Sequence, residues 1–180
     1  MSTSNHHIAM PALCDLAPHD DEGNLRVIVE TPRNSTLKLA FDPACDGFVV
    51  KRELMLGLSF PYDFGFIPGT RADDGDPLDA MVLHSACSPP GAILPCRALG
   101  FVAVRQNDDG HWIENHRVIA APAWDGHTVR AENISDLSKD TLHELEQFFV
   151  NTAYFTGKKL KITGWRPARE VAGLVARSKR

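Results

Sequence analysis

Between Asp63 and Asp79, seventeen residues hold five carboxylates, Asp63, Asp73, Asp74, Asp76 and Asp79, with Arg71 as the sole base among them. The acidic content of the whole chain would place about two there. Like charges this close raise one another's pKa and repel, unless a cation holds them. A solvated acidic loop is the bland alternative, but Gly75 and Pro77 fix the backbone and apolar residues flank the stretch on both sides. Asp74-x-Asp76 opens like a calcium-binding EF-hand loop and then fails as one, with Asp79 at the sixth position, Pro77 inside and Ser85 at the twelfth. Carboxylates in a tight turn that leave coordination positions to water and a ligand better suit Mg²⁺, which keeps waters and favours phosphate oxygens. The loop reads as half of a metal–phosphate site. The other half needs positive donors, and Lys38, Arg52, Arg117 and Lys158 each lie in or beside a segment of strand character. Lone basic residues are usually solvated surface, so spacing by itself leaves their role open.

These side chains need a scaffold, and the sequence around them alternates. Short β-like runs recur at 25–30, 36–41, 47–50, 98–105, 117–121 and 160–163, with Gly, Pro or Asp between them. Leu37, Leu39 and Phe41, and again Leu160 and Ile162, show the period of two that a half-buried strand requires. One segment breaks the rhythm: Leu142, Leu145, Phe148, Phe149 and Ala153 fall at helical spacing, with Ser138 or Thr141 able to cap and Gly157 able to terminate. Pro167, followed by Val171, Leu174 and Val175, predicts a last helix with Pro in its first turn. Residues 1–23 are polar and proline-interrupted, an irregular N-terminal arm, and the fold is expected to begin at Asn24. The coarse prediction is one domain over 24–180, a small antiparallel barrel with helices packed late in the chain.

Composition excludes several function classes. At 180 residues, 43% apolar and 23% charged, the chain has ordinary globular values, not those of disordered or collagen-like proteins. Its formal net charge of −4 offers no electrostatic pull toward nucleic acid or an anionic membrane. No stretch approaches the roughly 20 apolar residues of a membrane helix, and the first residues lack the basic start of a signal peptide. Cys14, Cys45, Cys87 and Cys96 form no Cys-x-x-Cys pair and are expected as buried free thiols in a reducing cytoplasm.

The segment Phe60-Pro-Tyr-Asp-Phe-Gly-Phe-Ile-Pro68, followed by Asp74-Gly-Asp-Pro-Leu-Asp79, resembles the signature of the soluble inorganic pyrophosphatases of the single-domain Mg²⁺-dependent family. Glu30, Lys38, Arg52 and the closing Lys-Leu-Lys-Ile-Thr-Gly-Trp165 fall in the family's order, so the resemblance covers roughly residues 24 to 176. It implies a mainly β protein with α, an OB-like five-stranded β-barrel with flanking helices. It also implies Mg²⁺-dependent hydrolysis of pyrophosphate to two orthophosphates. By the same resemblance, Asp74 and Asp79 bind a first metal and Asp79 bridges to a second, while Asp76 accepts the proton of the attacking water. Lys38 and Arg52 hold pyrophosphate oxygens, Lys158 matches a further family lysine at the substrate, and Glu30 assists a metal brought in with the substrate. Assembly as a homo-oligomer, commonly a hexamer, is implied as well.

Departures from the family pattern are equally specific. Ala40 replaces a Glu, and Phe60 and Phe64 replace tyrosines, the second losing a phosphate-binding hydroxyl. Where the resemblance implies an Asp, an Asp and a Lys facing metals and phosphate, Asp108 or Asp109 is available for the first. Asn115 and Arg117 stand at the other two. Asn offers an uncharged oxygen, and Arg is not equivalent to Lys at a crowded phosphate. Thr152 and Ala153 stand where a Tyr-Lys clamp is implied. Two readings follow from this mixture: an active enzyme of reduced or altered activity, and a non-catalytic binding or assembly protein with a degenerate site.

Overall fold

The computed structural model describes residues 12–124, 126 and 129–180. Strands β1 (Leu25–Thr31), β2 (Leu37–Asp42) and β3 (Gly47–Glu53) come first, and β4 (Asp63–Ile67) and β5 (Leu78–Val82) enclose the acidic loop. β6 (Ile93–Asp108), β7 (His111–Glu114) and β8 (Arg117–Pro122) follow. Helix α1 (Lys139–Ala153), strand β9 (Lys159–Pro167) and helix α2 (Val171–Arg177) complete the order.

Among the described residues, β1, β4, β5, β8 and β6 pair in a ring that closes through β1–β6, a five-stranded OB-like barrel. The 16-residue β6 makes closure possible. Its first residues pair with β1, its middle with β8, and its far end with β7 and β9. The barrel is not wholly antiparallel as the sequence predicted, because β5 and β8 run parallel, with Asp79 opposite Arg117. β2 and β3 form a separate hairpin in which Lys38 faces Arg52 across the pair.

Side-chain alternation divides the barrel's residues between two helices. Val27, Val29, Ala80 and Val82 join a cluster with Val171, Leu174 and Val175 of α2. Met81, Leu83, Val102 and Val104 join another with Leu145, Phe148 and Phe149 of α1. Burying each of these large side chains stabilises the fold by about 1.5–3 kcal/mol. Ser138 caps α1, its hydroxyl accepting from the Thr141 amide at 3.0 Å, and Gly157 turns the chain away at φ 73°. Gly65 explains the glycine in the Phe-Gly-Phe run of β4, since a Cβ there would lie 1.8 Å from the carbonyl oxygen of Ile28.

Several expectations are corrected here. β4, β5 and β7 lie outside the runs named as strand-like. Pro167 closes β9, and α2 starts only after a 3-10 turn at Ala168–Glu170. Of the N-terminal arm, residues 1–11 fall outside the described residues. Cys14 is buried with Ile28 and Phe66, and the Cys14 carbonyl accepts from the Gly69 amide at 2.8 Å. Cys14 and Cys96 are buried free thiols as expected, whereas Cys45 and Cys87 are exposed. No helix among the described residues is long and apolar enough to cross a membrane.

Candidate active site

The acidic loop is held at its base before any ligand is considered. Thr70, fully buried, donates its hydroxyl to the Ile67 carbonyl at 2.6 Å and accepts from the Leu78 amide at 2.9 Å, tying the two strand ends together. The last residues of the chain strap the same place from outside. The Arg71 amide donates to the Ser178 carbonyl at 2.5 Å, Thr70 bridges to Lys179, and the Arg180 amide donates to the Gly69 carbonyl at 3.1 Å. Within the loop the Ala72 amide donates to the Asp76 carbonyl at 2.7 Å, and Gly75 takes φ 91°, a left-handed turn that favours glycine. The loop thereby presents Asp74, Asp76 and Asp79 along one edge of a cavity of about 260 Å³.

The cations share this cavity with the carboxylates. Lys38, Arg52, Arg117 and Lys158 all line the same cavity, with Asn115, Gln106, Thr152 and Ala153. The Lys38 ammonium lies 4.1 Å above the centre of the Phe64 ring, a cation–π contact in the place of a tyrosine hydroxyl. Arg52 donates to the Thr152 carbonyl at 2.6 Å, at the C-terminal end of α1, where the helix dipole favours positive charge. Arg117 is only 8% exposed, and its Nε lies 3.6 Å from Asp79 Oδ2. Glu30 opens onto an adjoining cavity of about 350 Å³ whose walls share Lys38, Asp76 and Asp79. Its Oε1 accepts from the Phe41 amide at 2.8 Å.

Not every carboxylate of the sequence motif reaches this cavity. Asp63 is fully buried in β4, accepting from the Arg33 amide at 2.7 Å, the Ser88 amide at 3.0 Å and His84 Nε2 at 2.7 Å. It anchors loops. Asp73 is exposed and is not among the cavity's lining residues. Of Asp108 and Asp109, either of which was expected as a metal ligand, the side chain of Asp108 lies outside what the structure describes, and Asp109 is exposed at φ 47° beside Gly110 at φ 90°. Those angles are the two-residue turn of the β6–β7 hairpin, and Asp109 is not among the cavity's lining residues. From that strand the side chain facing the loop is instead Gln106, 6% exposed, whose Oε1 lies 3.5 Å from the Asn115 amide nitrogen. The sequence held a signal for it: Val102 and Val104 begin an alternating buried row that Gln106 continues with a polar group.

Electrostatics follow from this packing. Burial, reinforced by the charge of Asp79, pushes the Asp74 carboxyl up to about 6. Burial also raises Glu30, against the opposing pull of Lys38. Asp63 goes the other way: burial alone would raise it, but the hydrogen bonds from His84, Arg33 and Ser88 win and hold it below the ordinary carboxylate value. The three loop carboxylates supply hard oxygen donors, the chemistry a small divalent cation prefers. Among the described residues no three His, Cys, Asp or Glu side chains already converge as a cage, so water and a ligand would have to complete the coordination.

The profile of the inorganic pyrophosphatase family matches residues 27–180. This chain belongs to the inorganic pyrophosphatase family. It is 33% identical over 153 residues to the inorganic pyrophosphatase of Synechocystis, a match covering 85% of this chain and 88% of that protein. The crystal structure of the inorganic pyrophosphatase of Thermus thermophilus superposes with a TM-score of 0.81 at 30% identity, over 93% of this chain and 98% of that one. The inorganic pyrophosphatase of Helicobacter pylori gives a TM-score of 0.80 at 26% identity, over 91% of this chain and 95% of that one. The relatives and structural neighbours named here are inorganic pyrophosphatases, which are hydrolases. Gln106, Asn115 and Arg117 line the cavity beside its Asp loop, the Asn115 side-chain amide donating to Asp74 Oδ2 at 2.7 Å.

Proposed function

We propose that this protein hydrolyses inorganic pyrophosphate to two orthophosphates, with Mg²⁺ as the divalent ion. The supporting observation is the single cavity in which Asp74, Asp76 and Asp79 face Lys38, Arg52, Arg117 and Lys158, a set matched to a small, highly charged anion. Asp76, exposed at the cavity edge and flanked by Gly75 and Pro77, is the proton acceptor: its carboxylate takes a proton from the attacking water as the new P–O bond forms and the bridging P–O bond breaks. Lys38 and Arg52, paired across the β2–β3 hairpin, hold phosphate oxygens in register, with Lys158 lining the same cavity. Arg117, buried beside Asp79, supplies a further positive charge. Asp74 and Asp79 would hold the divalent ion, with Asn115 as a neutral oxygen donor beside them and Glu30 serving a further ion from the adjoining cavity. Asp109 has no assigned role at this cavity. When bound, the ion polarises the phosphate and activates water.

Phosphate release measured with and without Mg²⁺, on protein freed of contaminating pyrophosphatase, tests this directly. Mg²⁺-dependent release supports hydrolysis; pyrophosphate binding without release favours the non-catalytic alternative, to which the amide contact between Asn115 and Asp74 lends support. A hexamer in the cytoplasm completes the proposal, and sedimentation at micromolar concentration giving a monomer would contradict the assembly.

A further inference from the structure

Consecutive residues of a regular strand point to opposite faces, yet Lys51 and Arg52 of β3 both reach the site. Arg52 lines the cavity of about 260 Å³ and Lys51 the adjoining one of about 350 Å³. The β2–β3 register gives the reason. Lys38 pairs with Arg52 and Leu39 with Val50, which leaves Lys51 as the extra residue of a bulge. A bulge bends its strand and re-aims a side chain, and here it sends two neighbouring cations into two neighbouring cavities.

The second cavity is built for negative charge of its own. It shares Lys38, Asp76 and Asp79 with the first, and Lys51 and Arg180 add cations that the first does not have. Arg180 is held in place by its amide, which donates to the Gly69 carbonyl at 3.1 Å, and by Asp15, whose Oδ1 lies 3.4 Å from its Nη1. Ala40, two residues after Lys38 on β2, lines the same cavity with neither charge nor bulk, where the family resemblance implies a Glu. Glu30 is the one carboxylate lining this cavity that the first does not share, and its Oε1 already accepts from the Phe41 amide at 2.8 Å. Pyrophosphate in the first cavity meets Lys38, Arg52, Arg117 and Lys158. Lys51 and Arg180 remain for a further anionic group.

We infer that the second cavity seats a third phosphate, so that the site takes linear triphosphates as well as pyrophosphate. This rests on the reading that the protein hydrolyses pyrophosphate, and extends it to a longer phosphoanhydride. A phosphate chain that passes the shared wall of Lys38, Asp76 and Asp79 lies in both cavities. The water oxygen bonds to a terminal phosphorus, the P–O bond joining that phosphorus to the middle phosphate breaks, and the proton passes to Asp76 and on to bulk water. One tripolyphosphate and one water give orthophosphate and pyrophosphate, and a second turnover cleaves the pyrophosphate.

Inorganic tripolyphosphate and ATP are the probes, with pyrophosphate as the reference, followed by phosphorus NMR in Mg²⁺. Cleavage of tripolyphosphate alone identifies a free phosphate chain as the substrate, cleavage of both a chain that can carry a nucleoside, and cleavage of ATP alone a chain that must carry one. For the triphosphate that is cleaved, Lys51→Ala should raise KM about tenfold by removing a charged donor, while pyrophosphate kinetics stay within about twofold. Ala40→Glu should shift the ratio of the two substrates the same way, because it puts a like charge beside the third phosphate. Calorimetry on Asp76→Asn, expected to be slow in turnover, reads binding alone. Tripolyphosphate should bind it about tenfold tighter than pyrophosphate, and adding Lys51→Ala should erase that preference.

Two results overturn the inference alone: pyrophosphate is cleaved while neither triphosphate is, or Lys51→Ala affects pyrophosphate and the triphosphate alike. A protein that cleaves none of the three removes the hydrolytic reading, and calorimetry then decides the seat. A Lys51-dependent preference for tripolyphosphate supports it, and equal affinities overturn it.

Discussion

Asp63 and Asp74 belong to one acidic stretch and have opposite fates. Asp63 is fully buried and accepts from three donors, which hold its carboxyl below the ordinary value; Asp74 is half-buried beside two other aspartates and is pushed up to about 6. The difference is donor supply. Where the fold provides enough donors, a buried carboxylate becomes a structural pin; where it leaves carboxylates crowded at a cavity, the charge is available to a ligand. Residue type is the same in both places, and the crowding of Asp74 by its neighbours, together with the partners brought from β8, the 33–35 turn and the 84–88 loop, separates them.

The hardest blow to the functional side of this contrast is Asp76→Asn, which keeps the shape and removes the proton acceptor. A fall of about 10²–10⁴ in kcat is expected with little change in Tm; equal rates for the two proteins would remove Asp76 from the mechanism. On the structural side, Asp63→Ala strands His84 and two backbone amides and should cost about 3 kcal/mol. For a chain of this size that is a Tm lower by about 6–12 °C, and a change under 2 °C in calorimetry would mean that Asp63 is no anchor. Arg52→Ala removes one charged donor to phosphate, and steady-state kinetics should show kcat/KM lower by about 10–100-fold. Unchanged kinetics would make Arg52 only a prop for the end of α1.

The smallest effect has the clearest sign. The Asp74 pKa is raised in the fold from 3.8 to about 6, so its contribution to stability is fully present below 3.8 and is lost as pH rises through about 6. Asp63, with a lowered pKa, contributes above 3.8 and loses that contribution only as pH falls through its lower folded value. In metal-free melts from pH 4 to 7, Asp74→Asn should therefore gain on the wild type as pH rises. A constant offset between the two proteins across that range would show that Asp74 is not held in its raised state.

Much of this contrast was written in the sequence, and the rest was hidden for identifiable reasons. Alternation revealed β2 and β9, short β-rich runs between turn residues revealed β1, β3 and β8, and the spacing of Leu145, Phe148 and Phe149 revealed α1. β4 and β5 escaped because nearly every residue in them is buried, which erases the period of two, and because Gly65 reads as a break. Pro95 concealed the first part of β6. Lys38, Arg52, Asp74, Asp76, Asp79, Asn115, Arg117 and Lys158 could be named in advance, and all line one cavity. Asp109 and Gln106 could not be sorted by residue type, because their places depend on where the β6–β7 hairpin turns. Nor could the pairing of Asp79 with Arg117, which needs a parallel crossover that periodicity does not encode.

The strap formed by Ser178, Lys179 and Arg180 also has a history in time. The loop it braces is synthesised about 100 residues earlier, which at roughly 5–20 residues per second amounts to about 5–20 s of waiting on the ribosome. During that interval β8, which carries the charge opposite Asp79, is also late to arrive. The nascent protein therefore holds its most acidic segment before it owns either the brace or the counter-charge.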